Sequence, residues 1–418
     1  MANENTDVRH PVDEASKAVF TGDSGLDLFD KCHAYTRARE MQAADLYPYF
    51  LPIDENHSTD VEIDGHQLVM VGSNNYLGLV QDPRVKEAAI AAIRKYGSGC
   101  TGSRFLNGTL ALHEELEHRL AKFYNRESAL TFSTGFQANQ GVISTLVGKD
   151  DVIYCDRENH ASIYEGCRLS YGQVRKYKHN DMEDLDRLLN LNDRGHGKLI
   201  VADGVFSMSG ELMNLPATAE LAKKAGAAIL VDDAHGVGVM GENGRGTAEH
   251  FDREEDVELI LGTFSKSFAS LGGFVVGAED VIHYIKHTAR ALIFSASITP
   301  ASAAGVIKAI DIIETEPERR EQLWKNIRYL KNGFEKLGFN TLNSESPVIP
   351  IVVGDDIKTF RFWRALYDGG VYSNPVIPPA VPPDGGLIRT SLMATHTTKH
   401  LDRVLEVFEK VGKEFGII

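Results

Sequence analysis

Between Ala129 and Leu292 the chain repeats one theme: a short apolar run, a glycine or polar turn, then a stretch with helical periodicity. The runs are Ala129 to Phe132, Val152 to Tyr154, Lys198 to Ala202, Ala227 to Val231, Leu259 to Leu261 and Phe274 to Val276. They are apolar at successive positions rather than at alternate ones, which is the signature of strands covered on both faces. Strands separated by helical stretches form parallel pairs, because a parallel pair needs a long crossover. The pattern therefore predicts a doubly wound α/β body, and it directs attention to the C-terminal ends of the strands, where such bodies bind ligands.

The rest of the chain is organised around that body. Residues 1–24 are polar and turn-rich, which predicts a disordered tail, and residues 25–75 read as an arm followed by a segment of a smaller domain. Within that segment Val61 to Val71 partly alternates and reads as one strand. Residues 76–300 form the large domain. Beyond Pro300 the pattern changes to long helices and the strand candidates Val348 to Val353 and Leu387 to Leu392, so residues 301–418 are assigned to a C-terminal α+β domain, whose last helix is expected to be capped by Thr398.

Composition narrows the function. The 418 residues carry 44 Lys and Arg against 59 Asp and Glu, a formal charge of −15. That balance argues against nucleic acid as the main partner, since a phosphate backbone is held by an excess of basic side chains. No apolar run is long enough for a membrane helix and the first residues are polar, so a cytoplasmic enzyme is expected. Cys32, Cys100, Cys155 and Cys167 show no CxxC spacing and are read as free thiols, with no metal site.

Four strand ends carry residues suited to chemistry. Asp232-Asp233-Ala234-His235 follows one apolar run; alone, such an Asp serves equally well as a turn cap. Gly262-Thr263-Phe264-Ser265-Lys266-Ser267 follows another, and the apolar, glycine-rich stretch after Lys266 is a poor setting for a solvated loop. A lysine there can have its pKa lowered and act as a Schiff-base amine. Ser133-Thr134-Gly135-Phe136 turns a strand into a helix whose free N–H groups would meet a phosphate. Asn159-His160-Ala161-Ser162 offers an imidazole to a flat ligand. An amine, a carboxylate, a phosphate cup and a ring neighbour are together what pyridoxal phosphate (PLP) requires, with Asp232 the candidate partner of the pyridine nitrogen.

These motifs, with Gly72-Ser73-Asn74-Asn75-Tyr76-Leu77-Gly78 and Gly102-Ser103-Arg104-Phe105-Leu106-Asn107-Gly108-Thr109, resemble the α-oxoamine synthases, PLP-dependent acyltransferases that condense an amino acid with an acyl-CoA and release carbon dioxide. The likeness runs from about Tyr47 to the C-terminus and is strongest to the branch that uses L-serine and a long-chain acyl-CoA. It implies an aspartate aminotransferase-like fold, with a mainly parallel seven-stranded sheet in the large domain, and a homodimer with shared active sites. It also implies roles. Lys266 would bond the cofactor's aldehyde, Asp232 would pair with its ring nitrogen, His235 would meet its phenolic oxygen, and His160 would stack on the ring. Gly135, Phe136, Thr263 and Ser265 would serve the phosphate, with Ser207 near the ring and Ser295 and Ala296 reaching in from the neighbouring subunit. Arg389, His160 and Asn75 would bind substrate, Arg389 taking the serine carboxylate. A lipid product would suit peripheral contact with the inner face of the cell membrane. Gly236 departs from the Ser that the serine-using branch often carries. The alternatives keep the chemistry and change the substrates, to glycine with acetyl-CoA or succinyl-CoA or to alanine with a pimeloyl thioester, or dispense with CoA as a lyase or aminotransferase. A silent regulatory subunit would have no need of Lys266.

Overall fold

The structure is a computed structural model that describes residues 28–191 and 197–418; the stretch expected to be a disordered tail lies outside them. In chain order the strands are β1 (Glu55–Asn56), β2 (Asp60–Ile63), β3 (His66–Met70), β4 (Ser128–Phe132), β5 (Val152–Asp156), β6 (Gln173–Tyr177), β7 (Lys198–Asp203), β8 (Ala228–Asp232), β9 (Leu259–Thr263), β10 (Gly273–Gly277), β11 (Val348–Gly354), β12 (Val371–Tyr372), β13 (Asn374–Val376) and β14 (Gly386–Ser391). Among the described residues the central sheet has seven strands in the order β4-β10-β9-β8-β7-β5-β6. Its strands from β9 to β6 are parallel, and β10 runs antiparallel to both β9 and β4.

Each inner strand feeds two apolar layers. Leu199 and Val201 of β7 enter one core and Ile200 and Ala202 the other; Leu230 and Val231 of β8 divide in the same way. Alternate side chains point to opposite faces, so a continuous apolar run buries both. The reversal at β10 follows from chain length. The link from Thr263 to Gly273 is too short for a crossover helix, so the strand can only return antiparallel. That short link carries Lys266.

Three expectations differ from the structure. The stretch Val61 to Val71 forms two paired strands, β2 and β3, because Asp64 and Gly65 both take positive φ (49° and 74°) and reverse the chain. Strand β6 escapes a search for apolar runs, because Gln173, Arg175 and Lys176 lie on the sheet's edge, where polar side chains are tolerated. The last helix, Thr398–Glu414, is capped by Thr397 rather than Thr398: the Thr397 hydroxyl accepts from His400 N, and His400 Nδ1 accepts from Thr397 N in return.

The segment before the central sheet and the one after it meet. Strand β12 pairs in parallel with β3, and Ser391 N donates to Val71 O. A three-stranded sheet, β11-β14-β13, completes this region and delivers Arg389 on β14. All four cysteines are free, Cys155 and Cys167 buried. No helix among the described residues is long and apolar enough to cross a membrane.

Candidate active site

Strands β7 and β8 end in register, with Asp203 opposite Asp232. Both carboxylates are buried. Asp203 is pushed well above the usual carboxylate range by burial and then by Asp232. Asp232 accepts from Asn139 Nδ2 at 2.6 Å and from Ala234 N at 3.1 Å. The next residue, Asp233, faces away from this pair and accepts from Thr247 N and Oγ1, each at 2.6 Å. A Cβ at residue 236 would stand 1.9 Å from Asp233 Oδ1. Glycine at this position is therefore dictated here by close packing against a buried acid.

Lys266 sits in the turn between β9 and β10. The turn is fastened by Phe264 N to Gly272 O at 2.9 Å and Ser270 N to Phe264 O at 2.9 Å, and underneath it Phe264, Phe268 and Phe274 form an aromatic cluster with centroids 5.5–6.1 Å apart. Burial pushes the Lys266 amine down to about 8, against the opposing pull of Asp232 and Asp203. An amine so placed is readily obtained in its nucleophilic, neutral form.

The phosphate cup is built from a helix end and a strand end. Thr134 caps the helix Gly135–Leu146 by accepting from Gln137 N at 3.1 Å, and a Cβ on Gly135 would lie 2.8 Å from Thr263 Cβ. Only glycine lets the helix N-terminus approach the Thr263 and Ser265 hydroxyls, themselves 2.9 Å apart. Phe136 stands exposed at the rim. Ser295 accepts from Gln137 Nε2 at 3.0 Å, and Ala296 O accepts from Ser133 Oγ, so this segment borders the cup of its own chain.

The opposite side of the site is a network. His160 N donates to Asp203 at 2.6 Å, and the His160 imidazole, lowered by burial, feels both Asp232 and Lys266. His235 Nδ1 lies 2.6 Å from the buried Tyr76 hydroxyl, and its pKa is driven well down by burial and then by Lys266, Arg389 and His160. Arg389 is buried, donating from Nε to Ser207 O at 2.6 Å, from one terminal nitrogen to Ser391 Oγ at 2.8 Å and from the other to Asn74 Oδ1 at 2.9 Å. No carboxylate of the described residues pairs with it. A buried guanidinium held only by neutral acceptors, with donors to spare, calls for an anionic ligand. Asn75 is engaged elsewhere, donating to Ser58 Oγ at 3.1 Å and accepting from Val80 N at 3.3 Å.

Sequence reasoning missed Asn74, Tyr76, Asn139, Ser162 and Asp203. Asn74, Tyr76 and Ser162 lie in motifs that carry the resemblance without a role of their own in the sequence, and Asn139 reads as an ordinary helix residue until β8 is placed beside it.

Residues 66–408 match the model of aminotransferase class I and II. The chain belongs to the aminotransferase class I and II family. Among its relatives, serine palmitoyltransferase of Bacteriovorax stolpii is 50% identical over 94% of this chain and 94% of its own length, and that of Sphingobacterium spiritivorum is 50% identical over 93% and 98%. An 8-amino-7-oxononanoate synthase of Thermoanaerobacter pseudethanolicus is 42% identical over 91% and 97%. A solved structure of SPT with PLP matches with a TM-score of 0.91 at 37% identity, covering 94% of this chain and all of that one; Sphingomonas wittichii serine palmitoyltransferase matches with 0.91 at 39%, with the same coverage. The aspartate aminotransferase-like fold expected of the family is the fold observed.

As a member of the aminotransferase class I and II family this is a PLP-dependent enzyme, and its residues fit the cofactor. The Gly135–Thr263 approach leaves a cradle that a Cβ would fill, and a lowered lysine amine stands within the influence of a buried acid.

Proposed function

We propose that this chain condenses L-serine with palmitoyl-CoA, with loss of carbon dioxide, to give 3-ketodihydrosphingosine and CoA. This is the reaction of serine palmitoyltransferase, the printed function of relatives at 50% identity over nearly the whole chain. The observation that carries the reading is Arg389: a buried cation without an acid partner, beside Lys266 and His160, is a receptor for an amino-acid carboxylate.

PLP, when bound, supplies the electron sink that makes cleavage at the amino-acid α-carbon possible. In this reading Lys266 would hold the cofactor through its amine and would move the α-proton; a pKa of about 8 suits both tasks near neutral pH. Asp232 would pair with the ring nitrogen, and His235, its Nδ1 committed to the Tyr76 hydroxyl, would leave Nε2 for the phenolic oxygen. Thr263, Ser265 and the helix end at Gly135 and Phe136 would hold the phosphate, with Ser207 near the ring. Arg389 and His160 would bind the substrate carboxylate and so orient the amino acid.

The active unit in this proposal is a homodimer. Phe105, Leu106 and Phe294 are exposed around the bridge between Ser103 and Ala296, next to the cup, and a second copy seated there would bring Ser295 and Ala296 to the neighbouring phosphate. The domain division at residues 76 and 300, a cytoplasmic location and peripheral membrane contact belong to the same reading. Release of CoA measured with serine and palmitoyl-CoA, alanine and a pimeloyl thioester, glycine and acetyl-CoA, and glycine and succinyl-CoA tests it. Turnover is expected with the first pair; silence there with turnover in another pair, or product formed without thioester, overturns it.

A further inference from the structure

His160 is joined to Asp232 through two buried side chains that have been given no task so far. Asp232 Oδ2 lies 2.6 Å from Asn139 Nδ2, the same Nδ2 lies 2.9 Å from Ser162 Oγ, and Ser162 Oγ lies 2.7 Å from His160 Nδ1. Asn139 and Ser162 are both 1% exposed. We infer that Asn139 and Ser162 form a one-way hydrogen-bond relay that holds His160 in the tautomer with its hydrogen on Nε2, a fixed donor toward the substrate.

The direction follows from counting donors. A carboxylate accepts, so Asn139 must present its NH2 group to Asp232. The second hydrogen of that group goes to Ser162 Oγ, which therefore accepts. Ser162 has one O–H, and the remaining neighbour at bonding distance is His160 Nδ1. Nδ1 thus accepts, and it also accepts from Ser162 N at 3.3 Å. A hydrogen on Nδ1 would face that backbone N–H and leave the Ser162 O–H without an acceptor. The leftover atom tells the same story: Asn139 Oδ1 is buried with no partner. Turning the amide over would set Oδ1 against the Asp232 oxygen at 2.6 Å, acceptor against acceptor beside a carboxylate, so the orphan oxygen is the lesser cost. Burial disfavours the charged imidazole, and in the neutral ring an accepting Nδ1 leaves the hydrogen on Nε2.

Asn139 and Ser162 are positioning residues, and the inference rests on the proposed reading in giving His160 a substrate oxygen to meet. The relay divides labour in the site: Lys266 exchanges protons, and His160 only donates a hydrogen bond. The test is 15N NMR of the full chain labelled at histidine, with and without PLP, the His160 signals being assigned by their loss in His160→Phe. The wild type is expected to show a protonated Nε2 and an unprotonated Nδ1 in both forms. Ser162→Ala and Asn139→Ala are each expected to move His160 toward a mixture of tautomers and to lower kcat/KM for serine by about 10- to 100-fold, the scale of one hydrogen bond to a charged group. A wild type protonated on Nδ1, or unchanged tautomers in whichever of the two variants folds, overturns the relay. The expected tautomers together with undiminished serine turnover in His160→Phe would instead overturn the substrate role of His160 and leave the relay standing.

Discussion

Arg389 and Lys266 meet the cost of burying a cation in different ways. The lysine can shed its proton, and its pKa falls to about 8. The arginine cannot, and its planar guanidinium is held by three neutral acceptors, Ser207 O, Ser391 Oγ and Asn74 Oδ1. Arg389→Lys keeps the charge and loses the fork, so steady-state kinetics should show the serine KM rising about 10- to 100-fold with a smaller change in the acyl-CoA KM. Lys266→Ala should abolish turnover and the yellow absorbance of the PLP-loaded protein; an active, still-yellow variant would refute its role. Gly236→Ser places a side chain against Asp233 Oδ1, where a Cβ has only 1.9 Å, and should lower unfolding free energy by about 1–3 kcal/mol in denaturant titrations.

Among the elements, the turn between β9 and β10 shows how a strand end becomes a reactive site. Its aromatic cluster and backbone bonds set the turn, and the turn sets the lysine. A second element-level device braces the loop that holds Ser207. His179 Nδ1 and Nε2 each lie 3.0 Å from a carboxylate, Asp156 at the end of β5 and Glu211 beyond Ser207, and the ring packs edge-on against Phe206 at 4.3 Å. Burial pulls the imidazole down, but the hydrogen bond and charge of Asp156, with Glu158 and Glu211, outweigh it and raise the pKa to about 9. The folded state thus favours the proton. The stabilisation is fully present below the unfolded pKa of about 6.5 and is lost as pH rises through 9, an effect on the order of 2 kcal/mol. Unfolding free energy measured across that window should fall with pH in the wild type and vary less in His179→Gln.

For the molecule as a whole, the central sheet, the smaller sheet and the link that follows β3 meet where no single one could make a site. The central sheet contributes Asp203, Asp232 and Lys266, the smaller sheet contributes Arg389, and the link before residue 83 contributes Asn74 and Tyr76. Exposed Phe294 and Leu106 beside the cup mark the surface proposed for a second copy. Phe294→Asp combined with Leu106→Glu should shift sedimentation equilibrium toward monomer and weaken PLP retention, while a dimer of unchanged strength would place the interface elsewhere.

The sequence by itself determined the layered α/β body, because buried strands must be apolar at successive positions, and it determined the cofactor chemistry, because a lysine, an acid, an imidazole and a glycine turn at strand ends are distinctive residue types. It left β6 hidden, since an edge strand obeys no such constraint, whereas the Asp64-Gly65 dipeptide that reverses the chain between β2 and β3 is a legible turn signal. Tertiary structure alone decided that Asn74 touches Arg389, that Gly236 answers to Asp233, and that Asn139 and Ser162 connect Asp232 to His160. Hydrogen bonds between side chains far apart in the chain have no periodicity and no spacing. Their partners exist only once strands and helices have been laid side by side.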